Sequence, residues 1–192
     1  MRHLIVSGRT FVSILWLGWV AYWIAASRWT APSRRMESWL EGAAYRVPLL
    51  VGIFLVLLSR EFLPFTGKPL WPQSAILVGI GIVLTIAGLG LAIWARVHLG
   101  KYWSGRVTIK VDHRIIETGP YRSVRHPIYS GLLLALLGTV IMIGTVQAFL
   151  GFALIFIAVV RKLTLEEKWL RSEFGEEYER YRRRVKALVP HL

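Results

Sequence analysis

The stretch LLLALLGTVIMIGTVQAFLGFALIFIAVV, Leu132 to Val160, runs for 29 residues without a charge. A straight helix crosses a bilayer with about 20 residues. The run is therefore too long for one crossing, and Gly144-Thr145-Val146 interrupts it. Two spans, at about 127–144 and 147–162, fit it as a tight hairpin. Helices are required, because backbone facing lipid must satisfy its own hydrogen bonds.

The same pattern recurs upstream, at about 10–26, 47–63 and 74–96. The expected fold is an all-α integral membrane protein with about five transmembrane helices, the last two a hairpin, followed by helices at the polar surface. The whole chain, 1–192, reads as one membrane domain. Composition agrees: 55% of residues are hydrophobic and the mean hydropathy is +0.50, more apolar than soluble domains usually are. Arg2 and Arg9 precede an apolar stretch ending Ala25-Ala26-Ser27, which imitates a secretory leader. Trp16, Trp19 and Trp23 make a poor cleavable segment, so an uncleaved first span is expected. Gly79, Gly81, Gly88 and Gly90 follow no strand, and they read as sites of close helix packing rather than a phosphate loop.

The formal charge of +13 sits in short loops and in the tail. With no basic module separate from the spans, it argues for lipid headgroups and against nucleic acid. Arg28, Arg34, Arg35 and Arg46 lie between the first two spans, Lys101 to Arg125 lie between the third and fourth, and nine cations follow Val160. The loops on the other side hold only Arg60, Glu61 and Lys68, although Arg2 and Arg9 before the first span also fall there and run against the trend. The excess of cations places the first, third and fifth span ends in the cytoplasm. The absence of cysteine removes disulfides, thiolate metal sites and cysteine nucleophiles, and no metal site is expected. In the tail, Leu170, Phe174, Tyr178 and Tyr181 share one helical face, with Gly175 a break between two pieces. That tail either lies on the headgroups or also closes over a site.

The polar segment Gly119-Pro-Tyr-Arg-Ser-Val-Arg-His-Pro-Ile-Tyr-Ser-Gly131 opens the fourth span. Pro127 suits the first helical turn, so the free N–H groups of that turn face Arg125, His126 and Arg122, with Tyr121 and Tyr129 beside them. The cluster is either a set of interfacial anchors or a shaped anion site. Glu166 and Glu167 return to the same side just past the fifth span. They are either ion-pair partners of Arg122 or Arg125, or one faces a ligand cation. Adjacent helical positions point about 100° apart, so the two cannot share one role.

Several motifs together resemble the isoprenylcysteine carboxyl methyltransferase family and its relatives among phospholipid N-methyltransferases. They are Gly119-Pro120-Tyr121, Arg125-His126-Pro127-x-Tyr129, Glu166-Glu167, Phe174-Gly175-Glu176-Glu177-Tyr178-x-x-Tyr181 and, upstream, Leu99-Gly100-x-x-Trp103-Ser104. The resemblance covers about 96–192. It implies a membrane enzyme that takes S-adenosyl-L-methionine, releases S-adenosyl-L-homocysteine, and receives a lipophilic acceptor sideways from the bilayer. By that similarity Tyr121, His126, Pro127, Tyr129, Glu167, Tyr178 and Tyr181 hold the cofactor, and Arg125, Glu167 and Glu166 serve the reacting end, with Arg125 orienting the acceptor. It also implies a prokaryotic inner or plasma membrane, because the chain has the five spans of the simpler members. The acceptor stays open between an isoprenylcysteine-like carboxylate, a phospholipid amine and a thiol. An NADPH-dependent reductase and a non-catalytic sensor or scaffold are the competing classes.

Overall fold

A computed structural model describes residues 2–57 and 69–190. It contains α1 (Arg2–Ala26), β1 (Ser33–Met36), α2 (Trp39–Leu57), α3 (Ala75–Leu99), β2 (Thr108–Lys110), α4 (Pro127–Ile143), α5 (Val146–Phe174) and α6 (Glu176–Arg184). Four helices are long and apolar enough to cross a membrane: the Val6–Ala26 part of α1, then α2, α3 and α5. The fifth apolar helix, α4, has 17 residues. The protein is an all-α integral membrane protein apart from one small sheet. The expected end of the second span near residue 63, and the charges Arg60, Glu61 and Lys68, lie outside the described residues.

Two antiparallel helix pairs carry the bundle. In the first, α3 packs on α4, because Gly81 and Gly88 meet Gly138, Gly131 and Ala135 backbone to backbone. A Cβ added at Gly88 would run into the carbonyl of Gly131 and the amide of Ala135. In the second, α2 packs on α5 through Gly52 and Gly151 in the same manner. Lipid tails are as apolar as leucine, so association here rests on such close packing and on buried hydrogen bonds. Thr85 Oγ1 of α3 donates across the seam to Ala135 O of α4 at 3.2 Å, and Trp16 Nε1 of α1 donates to Thr139 Oγ1 at 3.0 Å. The packing reading holds for Gly81 and Gly88, whereas a Cβ at Gly79 or Gly90 would meet nothing.

The two-residue turn between α4 and α5 makes the expected hairpin. Gly144 adopts φ 68°, and Thr145 caps α5 by accepting from Ala148 N. Yet neither hairpin helix has the other as its main partner. At about 1.5 Å per residue, the 29 residues of α5 reach about 43 Å, well beyond a hydrocarbon core of about 30 Å. Its last turns therefore project past the bilayer. Pro48 inside α2 cannot donate to Ala44 O, and Arg161 Nη1 of α5 takes that carbonyl at 3.0 Å.

The α1 C-terminus, the α2 N-terminus, residues 100–126 and the end of α5 share one polar end. There β1 pairs antiparallel with β2, an element the sequence reading lacked. Gly175, at φ 50°, separates α5 from α6 as expected, and Tyr178, Tyr181 and Val185 form a buried cluster with Leu170, Phe174 and Ile115. The acidic start and basic end of α6 follow its dipole.

The seam between α3 and α4 makes a contrast measurable in detergent by thermal unfolding. Gly88→Leu is expected to destabilise by at least about 1–3 kcal/mol, the range for overpacking, and Gly90→Leu to stay within about 0.5 kcal/mol. Equal effects at the two positions would contradict the seam.

Candidate active site

His126 caps α4, with Pro127 at the first helical position. Its location is fixed from two directions. The glycine seam holds α4, and a strap formed by residues 185–188 pairs with the backbone before it. Arg125 N donates to Lys186 O at 2.8 Å, His126 N to Ala187 O at 3.0 Å and Ser130 Oγ to Leu188 O at 2.6 Å. The strap pairing with Val124 is a parallel bridge.

The projecting end of α5 brings both glutamates to this point. Glu167 is buried and takes Arg125 Nε at 2.9 Å and Arg125 Nη2 on the same oxygen, Oε1. His126 Nε2 lies 3.2 Å from that oxygen. Glu167 Oε2 faces Arg171 Nη2 at 3.5 Å. Glu166 turns to the other side of the imidazole: its Oε1 accepts from Tyr129 Oη at 2.6 Å, and its Oε2 lies 3.6 Å from His126 Nδ1. The ring of His126 stacks on Tyr129 at 5.8 Å and 26°. The glutamates thus have different partners, as helix geometry requires, but one histidine joins them.

The aromatic wall comes from the tail. Tyr181 Oη donates to Tyr121 O at 2.7 Å, and Tyr121 Oη to Ala95 O at 3.4 Å. Tyr178 is 2% exposed, and its Oη, which lies beside Arg125, donates to no acceptor among the described residues. Burial pushes the Tyr178, Tyr181 and Tyr121 hydroxyls above the usual range, so all three remain protonated donors. Arg125 Nη1 donates to Arg182 O at 3.3 Å and to Val185 O. Its three nitrogens are therefore all engaged, by Glu167 and by the strap. Arg122 is exposed and stands apart from both glutamates.

All seven expected cofactor-contacting residues and all three expected reacting-end residues lie at this polar end. Arg125, His126, Tyr129, Glu166 and Glu167 form one bonded cluster, Tyr121, Tyr178 and Tyr181 form the adjoining wall, and Pro127 starts the helix. The sequence reading missed the strap, whose contribution is backbone carbonyls and leaves no side-chain signature. It also missed a second cluster, in which Tyr45, Arg46 and Arg106 surround Glu37.

Comparison with known proteins gives a consistent answer. The Isoprenylcysteine carboxyl methyltransferase (ICMT) family pattern matches residues 80–172. A protein-S-isoprenylcysteine O-methyltransferase of Schizosaccharomyces pombe is 32% identical over 160 residues, covering 78% of this chain and 68% of that protein. Protein-S-isoprenylcysteine O-methyltransferase B of Arabidopsis thaliana is 25% identical over 187 residues, 95% of this chain and 91% of that protein. Methanethiol S-methyltransferase of Crocosphaera subtropica is 42% identical over 72 residues, 38% of this chain and 28% of that protein. The match to the yeast enzyme extends upstream and downstream of the spans that hold the glycine seam, and with it the chain belongs to the isoprenylcysteine carboxyl methyltransferase family, a family of membrane methyltransferases.

Proposed function

We propose that this protein transfers a methyl group from S-adenosyl-L-methionine to a lipophilic acceptor arriving from the bilayer, specifically the carboxylate of an isoprenylcysteine-like small molecule. The observation that carries the reading is the convergence of Glu166 and Glu167 on the two nitrogens of His126 at the mouth of α4. The residues fit the methyl donor. It carries an ammonium and a sulfonium, for which two carboxylates and the faces of Tyr129 and Tyr178 are suited. It carries a carboxylate, for which the first turn of α4 after Pro127 is suited. The orphaned Tyr178 Oη is a buried donor in search of an acceptor.

When bound, the cofactor would supply a methyl group on a sulfonium: an acceptor oxygen would take the methyl carbon, and the carbon–sulfur electron pair would leave with the neutral thioether of S-adenosyl-L-homocysteine. An ionised carboxylate needs no base for this, because its pKa lies near 3.5. It needs alignment and a dry site. In this reading residues 96–192 form the cofactor part. Tyr121, Tyr178 and Tyr181 close it from the tail side, and Tyr129 and His126 wall the other. Arg125, to which the resemblance gives the acceptor, holds Glu167 and the strap with every nitrogen. Its contribution is to fix the carboxylate of Glu167 and the closure above it.

Five spans are proposed, with α4 at the short limit of about 17 residues for a crossing. The cation excess at the polar end supports placing the site on the cytoplasmic side. The short five-span plan, which the resemblance associates with prokaryotic members, supports a prokaryotic inner or plasma membrane. A thiol acceptor is the second reading, favoured by the segment shared with the cyanobacterial protein. Assaying S-farnesylcysteine and an alkanethiol side by side separates the two.

Calorimetric titration of the purified protein with S-adenosyl-L-homocysteine is the primary test, with NADPH as the control. Binding is expected for the first ligand alone, and its loss by at least about tenfold in His126→Ala and Glu167→Gln, as for a lost charged hydrogen bond. Binding of NADPH instead would turn the reading to a reductase, and binding of neither to a non-catalytic protein. Arg125→Ala is expected to abolish turnover and to expose residues 185–190 to protease. Leaving the buried Glu167 with only His126 and Arg171 beside it is expected to cost stability up to the lower end of the range for a broken buried pair, about 3 kcal/mol. A strap as resistant as the wild type's would contradict the clamp.

A further inference from the structure

A second buried charge cluster adjoins the candidate active site. Glu37, between β1 and α2, is 1% exposed. Tyr45 Oη and Arg46 Nη2 both donate to its Oε1, Arg106 Nη2 donates to its backbone carbonyl, and Arg106 Nε lies 3.9 Å from Oε1. The ring of Trp39 lies 4.9 Å from the Arg46 guanidinium and 5.3 Å from that of Arg106. Gly42 provides the room, since a Cβ there would strike the Arg46 guanidinium.

Three polar atoms of this cluster are buried and have no hydrogen-bond partner among the described residues: Arg46 Nη1, Arg106 Nε and Glu37 Oε2. Buried polar atoms are paired in the great majority of cases, so three orphans from three mutually bonded residues point to a missing ligand. Their polarity describes it: two cationic donors and one anionic acceptor. Lys162 adds a third cation. Its Nζ bonds Gly105 O at 2.8 Å and lies 5.4 Å from the ring of Tyr45 and 5.6 Å from that of Tyr129. Three cations, Arg46, Arg106 and Lys162, thus face two acids, Glu37 and the nearby Glu166. Tyr129 belongs to both clusters, because it also stacks on His126 and donates to Glu166. Trp39 and Leu40 at the edge are 75% and 86% exposed, where an apolar tail would lie against lipid.

Resting on the reading as a carboxyl methyltransferase, we infer that this cluster seats the polar head of the acceptor. Arg46 Nη1, Arg106 Nε and Lys162 Nζ take its carboxylate, and Glu37 Oε2 takes an adjacent amide N–H. An N-acylated S-alkyl cysteine presents both groups one carbon apart. Guanidinium groups held by Glu37 and Trp39 are pre-organised for this, which lowers the cost of ordering them on binding.

The test uses the full chain in nanodiscs of zwitterionic lipid, first saturated with S-adenosyl-L-homocysteine and then titrated with N-acetyl-S-farnesylcysteine. Saturable binding is expected, weakened at least about tenfold in Arg106→Gln and in Lys162→Gln, the size of one charge-assisted hydrogen bond. Affinity for S-adenosyl-L-homocysteine should stay within about twofold of wild type, which also reports that the variants fold. The carboxamide of the probe should bind the wild type as weakly as the variants bind the acid, and lose nothing further in them. S-farnesyl-3-mercaptopropionate, which lacks the amide, should bind more weakly than the cysteine probe. Wild-type probe affinity in both variants, with S-adenosyl-L-homocysteine still bound, would overturn the inference and leave the methyltransferase reading standing. Displacement of the probe by phosphatidylglycerol would reassign the cluster to a phospholipid and overturn it as well. Failure of the wild type to bind S-adenosyl-L-homocysteine would remove both.

Discussion

The polar end of this protein depends on one buried ion pair. Arg125 and Glu167 have side chains 8% and 9% exposed and come from segments far apart in sequence. A buried pair of this kind is weak as a source of stability but severe when broken, because the surviving charge is stranded. Its value here is positional. Arg125 reaches Glu167 with two nitrogens and the strap with the third, so one side chain fixes the acid, the imidazole and the covering chain relative to each other. The aromatic wall of Tyr121, Tyr178 and Tyr181 then has a frame to rest on.

That pair can form only because the helices beneath it are placed to within a methyl group. Glycine against glycine sets the depth of α4 on α3 and of α5 on α2. The extra length of α5 carries two carboxylates out of the bilayer, to where water and charged ligands are available. Polar chemistry is thereby kept out of the hydrocarbon, where ionised groups are expensive.

Much of this was legible in the residues. The apolar runs gave the helices, Gly144 and Gly175 gave two breaks, and the spacing of Leu170, Phe174, Tyr178 and Tyr181 gave the packed face of the tail. The motif at 119–131 and the acids at 166 and 167 marked the site. Other features left no local trace. The pairing of Ser33–Met36 with Thr108–Lys110 joins two short polar segments, neither alternating strongly enough to read as a strand. Glu37 is a loop acid in the sequence and 1% exposed in the fold, because its burial is supplied by Tyr45, Arg46 and Arg106 from elsewhere. Sequence adjacency also misled about packing. A hairpin suggests that α4 and α5 are mutual partners, whereas the glycines on each had already chosen α3 and α2.

The bundle is two closely packed pairs, linked by the two residues Gly144 and Thr145 at one end and packed together by Val56, Leu136, Val140, Ala148 and Ile155 between them. His126 and Glu167 sit at the opposite end, one on each pair, about 25 Å away along a 17-residue helix. The arrangement is that of tongs: the turn is the pivot, the pairs are the arms, and the ion pair is the latch at the tips. Rotation about the pivot parts the tips most and leaves both glycine seams untouched. Parting the tips therefore costs the ion pair and the strap's hydrogen bonds together, so the site is held shut from the end farthest from the turn.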